Sequence, residues 1–139
     1  MATKPATIQQ APAHQVEEGF FTVVGHYQDY TFRIQRQDAD ARFASGQLII
    51  GLLIGPHNES DYKDFGFVTD NGLLKVWGKR HPGERVVNAA KFLLSGDHVA
   101  AGKQYAFKSG NCWKCNRMLT TKESKAAGIG PKCASKLGA

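Results

Sequence analysis

Three cysteines, and the places they occupy, constrain this chain more than any other feature. They are Cys112, Cys115 and Cys133, the only cysteines in 139 residues, and all lie near the C-terminal end of the sequence. Cys112-Trp113-Lys114-Cys115 puts two thiols two residues apart, a spacing that lets a tight turn offer both sulfurs to one tetrahedral ion. The third follows after 17 residues (116 to 132), within the range for the second half of a zinc finger. Gly128-Ile129-Gly130-Pro131 precedes it and reads as a loop turning into a helix, with Pro131 at the first helical position. The competing readings are three small buried thiols or a redox pair. Clustering in a chain otherwise free of cysteine favours Zn2+.

Between the two halves, Thr120-x-x-Glu123 reads as a capping box and Gly128 as the left-handed end of a short helix. Knuckle, short helix, Gly-rich turn and second helix follow in that order, which resembles a treble-clef-like zinc finger. One turn beyond Cys133, where a fourth thiolate would be expected, stand Lys136 and Leu137. The histidines are His14, His26, His57, His81 and His98. His98, in a predicted Gly96-Asp97-His98 loop, is the expected fourth ligand. His81, a carboxylate such as Glu123, or water are the alternatives. Three protein ligands plus water is the pattern of catalytic zinc, without being evidence of catalysis by itself.

The run Cys112-x-x-Cys115-Asn116-Arg117-x-Leu119-Thr120-x-x-x-Ser124-x-x-x-Gly128-Ile129-Gly130-Pro131-x-Cys133 resembles a small cysteine-bearing domain of unknown function. That domain occurs in many bacteriophage proteins and is sometimes appended to helicases. Upstream, Tyr30-Thr31-Phe32-Arg33-Ile34 and Gly55-Pro56-His57-Asn58-Glu59 resemble the N-terminal part of phage proteins carrying it. The resemblance implies a phage-encoded, zinc-binding, nucleic-acid-associated protein. It supplies no activity.

Charge points the same way. Residues 101 to 139 hold eight basic residues against one acidic, a net +7, whereas the first 100 residues net −1. A small module with that lysine density is an electrostatic footprint for phosphate. Lys114, Arg117, Lys122, Lys125, Lys132 and Lys136 are the expected phosphate contacts, and Trp113 the expected base-stacking side chain, on DNA or RNA. The alternative is a protein-interaction module or inhibitor whose basic finger docks on an acidic host protein.

The rest of the chain reads as α+β. Residues 1 to 15 form a polar tail. Phe20 to Val24 and Tyr30 to Ile34 form a hairpin, Leu48 to Ile54 a central strand, and Phe65 to Val68 with Leu73 to Trp77 a hairpin across Asp70-Asn71-Gly72. Glu84 to Leu94 is the one helix expected to cover the small antiparallel sheet or partly open barrel, and Ala100 to Ser109 a last strand. The expected domains are 16 to 99, sheet plus helix, and 100 to 139, the basic finger. No run of 18 apolar residues suggests a membrane span, and three cysteines in metal-ligand spacing suit a reducing cytoplasm. Without a P-loop, a Rossmann fingerprint, the deaminase His-x-Glu or an identifiable small-molecule site, no enzyme is expected.

Overall fold

The computed structural model describes residues 17–38, 40, 46–69 and 71–136. The expected tail, most of the Gln37 to Gly46 loop and Asp70 lie outside the described residues. Five strands follow in order: β1 (Gly19–Val23), β2 (Tyr30–Arg36), β3 (Leu48–Leu53), β4 (Tyr62–Val68) and β5 (Leu74–Val76). Each pairs antiparallel with the next, so the spatial order equals the sequence order. The sheet is thus an open meander, with β1 and β5 at its edges. The apolar run of β3 takes the central place that continuous hydrophobicity favours.

Alternation along β1 and β2 sends Phe21, Val23, Phe32 and Ile34 to one face. They meet Leu48 and Ile50 of β3, Phe65 and Val68 of β4, and a helix. That helix, α1 (Glu84–Ser95), buries Val86, Ala90, Leu93 and Leu94, a spacing that makes one stripe. On the opposite side Arg33 Nη2 reaches Asp64 Oδ1 at 3.3 Å. Gly51 lies between them in the ladder, and a Cβ there would stand 2.6 Å from that carboxylate oxygen.

The expected strand over Ala100 to Ser109 is a helix, α2 (His98–Ser109). Asp97 caps it by accepting from Ala100 N at 3.1 Å, and Gly110 closes it in the left-handed conformation. The alternation of Tyr105 and Phe107 misleads, because Tyr105 is buried and Phe107 exposed on different helical faces. Gly102, Tyr105 and Ala106 form the inward face, at helical spacing. Helix α2 packs along β1, so two helices serve the sheet rather than one, and position 100 falls within the first turn of α2. Two short helices complete the chain, α3 (Lys122–Ala127) and α4 (Pro131–Lys136). No helix among the described residues is long and apolar enough to cross a membrane.

Candidate metal centre

The Cys112 to Cys115 knuckle is a tight backbone structure. Asn111 and Met118 form a bridge, Cys112 N donates to Arg117 O at 2.8 Å, and Asn116 N donates to Cys112 O at 2.7 Å. The chain reverses at Asn116, whose φ of 66° lies in the left-handed region that asparagine tolerates better than most residues. The side chain of Asn116 then ties three segments together. Its Oδ1 accepts from Tyr105 OH and from Asn111 Nδ2, and its Nδ2 donates to Asn58 O in the β3–β4 loop.

Cys133 arrives from the other side. Thr121 caps α3 by accepting from Ser124 N at 3.0 Å, one residue later than the expected Thr120 box. Gly128 ends α3 at φ 77°, and a Cβ there would stand 3.2 Å from Ala106 Cβ of α2. Pro131 then opens α4, as expected, which places Cys133 in its first turn. Gly128 O accepts from Trp113 N, and Gly130 N donates to Cys112 Sγ at 3.4 Å, so both halves are joined across the site.

The three Sγ atoms lie within 4.8 Å of one another. Thiolates about 2.3 Å from a tetrahedral ion stand about 3.8 Å apart. The cluster therefore needs to close by at most about 1 Å to hold a metal. Burial alone would raise the Cys112 thiol, but N–H groups of Gly130, Cys115 and Lys114 at its sulfur outweigh that and hold it below the usual thiol range. Cys133 behaves oppositely. Burial and the neighbouring Cys115 and Cys112 sulfurs push it up to about 12. Three thiolates this close repel one another unless a cation sits among them.

The other expected site residues are scattered. His98 does not join the thiols. It opens α2, its ring packs 6.1 Å from that of Phe21, and its buried Nε2 has no hydrogen-bond partner. His81 accepts from Gly83 N in an exposed turn, and Glu123 is exposed on α3, outside the thiol group. Trp113 is not displayed for stacking: it is 1% exposed, against Phe21 of β1. Two glycines make its slot, since a Cβ at Gly102 would stand 2.6 Å from the indole and one at Gly19 would stand 2.9 Å from it. Phe20 N donates to Trp113 O at 2.6 Å, so the knuckle also pairs with the edge of β1. Lys114 turns back to Glu17 Oε1 at 3.0 Å and Glu18 O at 2.8 Å. Arg117, Lys122, Lys125 and Lys132 are exposed and without an ion pair among the described residues. Lys103 of α2, one of the eight basic residues of 101 to 139 but not one of the expected phosphate contacts, is exposed and packs beside Gly128. Lys136 ends α4, and its side chain lies outside the described residues. The role of Asn116 was also missed. Its signal is an amide residue directly after Cys-x-x-Cys, where the reversal favours positive φ.

Residues 102–138 match the model of a family of unknown function (DUF6011). No curated protein and no solved structure matches the chain.

Proposed function

We propose that this protein is a non-enzymatic, zinc-containing nucleic-acid-binding protein. Its finger would be treble-clef-like, with two thiolates from the knuckle and one from the first turn of α4. The single observation that carries the reading is the convergence of Cys112, Cys115 and Cys133, which join a knuckle and a helix otherwise held by few apolar contacts. Thiolate donors and tetrahedral spacing suit zinc among the common divalent ions. Bound there, the ion would fix the knuckle against α3 and α4. Arg117, Lys122, Lys125 and Lys132, with Lys103 beside them, would then form a preorganised cationic surface for phosphate oxygens. Trp113 and Lys114 leave the contact set, because one is core and the other is paired with Glu17.

Native mass spectrometry should find one zinc per chain. Fluorescence anisotropy on short DNA and RNA oligonucleotides should show affinity falling with salt, at a log–log slope of roughly −0.7 to −0.9 per phosphate contact. Replacing Arg117, Lys122 and Lys132 together with Ala should flatten that slope by about two to three units. A metal-loaded protein that binds no oligonucleotide at low salt would overturn the nucleic-acid reading and favour an acidic protein partner.

A further inference from the structure

Among the described residues the thiol cluster has three protein ligands and no fourth. The four described histidines are engaged or placed elsewhere: His26 against Tyr27, His57 beside Glu59, His81 on Gly83 N and His98 against Phe21. In front of the sulfurs lies a cleft of about 560 Å³, whose walls include Arg117, Met118, Thr121, Ser124 and Lys132. The hydroxyls of Thr121 and Ser124 are committed to each other at 2.9 Å, and Thr121 Oγ1 also caps α3. The two charged walls are cationic and unpaired among the described residues, so the cleft disfavours an incoming amine or imidazolium and favours an anion.

We infer that the metal centre takes its fourth ligand from outside the described chain: an oxyanion of the phosphate or carboxylate class, admitted through this cleft and held by Lys132 and Arg117. The inference rests on the metal reading above and sharpens it. The site that holds the finger together is also a recognition site, in which a zinc-directed oxygen is flanked by two charge-assisted donors.

Cobalt substitution of the full-length protein tests this. Three thiolates should give intense sulfur-to-cobalt charge transfer and tetrahedral d–d bands. Adding inorganic phosphate should then shift the d–d bands saturably while the charge-transfer intensity stays constant. A parallel acetate titration separates a phosphate preference from a carboxylate one. Lys132→Ala and Arg117→Ala should each weaken the apparent anion affinity about tenfold, the worth of one charge-assisted contact, with the cobalt still bound. Bands unmoved by either anion would overturn the inference, because the fourth position would then be filled by the chain itself or closed. Absence of charge transfer would show instead that no three-thiolate site forms, and would remove the metal reading together with this one.

Discussion

The sheet and the finger are built on opposite principles. The sheet, with α1 and α2, encloses a continuous apolar core that includes Tyr105 and receives Trp113, in which every strand but the short β5 contributes fully buried side chains. The finger's own cluster is Ala106, Cys112 and Leu119, with Ile129 and Cys133 against it. Area burial at about 25 cal/mol per Å² stabilises the first and is meagre in the second. What the finger has instead is a metal-binding geometry, a backbone hydrogen-bond net and one indole lodged in the neighbouring region. Small units order themselves by crosslinks where they lack a core, and here the three thiols that could form one are tethered to a core they do not own.

The sharpest way to break this contrast is to remove the metal. Structural zinc contributes on the order of 10 kcal/mol or more to isolated fingers. Chelation, or Cys115→Ser, should therefore abolish amide-exchange protection from about residue 111 to 134 while β2, β3 and β4 keep theirs. The Phe20 amide, bonded to Trp113 O, should exchange with the finger. Equal loss across the sheet would mean the two regions are one cooperative unit. Next in size is Trp113→Ala, expected to cost about 3 to 5 kcal/mol as a buried aromatic truncation and to lower stability in both regions. Calorimetry should show that drop with zinc still at one per chain; an unchanged melting temperature would remove the indole from the account.

Asn116→Gly keeps the positive φ but removes the amide, so it should cost about 1 to 3 kcal/mol and loosen the knuckle from Tyr105 of α2 and from the β3–β4 loop at Asn58. Proton release sharpens the contrast further. Cys133 is held as a thiol up to about 12 in the metal-free protein, yet a metal needs the thiolate. Zinc addition in weak buffer should release protons, and apparent affinity should rise with pH across the neutral range, while the sheet's stability stays nearly flat there. The smallest effect belongs to Lys114→Ala. A partly exposed ion pair with Glu17 is worth about 0 to 1 kcal/mol, and the salt slope of oligonucleotide binding should not change.

Much of the sheet was legible because its signals are local. Alternation at Tyr30, Phe32 and Ile34 and the apolar run from Leu48 depend only on near neighbours in sequence. The same holds for Gly128 and Pro131 around the third cysteine. Helix α2 was not legible because its inward face sets one aromatic, Tyr105, between the small residues Gly102 and Ala106 and so leaves no hydrophobic stripe, although Asp97 was an available cap signal. The fates of Trp113 and Lys114 were hidden for a different reason. Each is decided by a partner more than 90 residues away, Phe21 for one and Glu17 for the other, and no window along the chain contains both. His98 likewise read as a loop ligand for the fourth metal position, whereas Asp97 caps a helix packed on β1 and makes His98 its first residue.

The indole's slot also limits how portable the C-terminal module is. The family match begins at residue 102, so Gly102 lies inside the matched segment while Gly19 and Phe21 lie outside it. A fragment cut at that boundary would carry one wall of the slot and leave the other behind, placing a tryptophan on its surface. Grafting the finger into another protein would therefore require either a polar residue at position 113 or a recipient strand with a glycine opposite it. In this chain the second residue of Cys-x-x-Cys, Trp113, is what makes the finger dependent on the strand beside it.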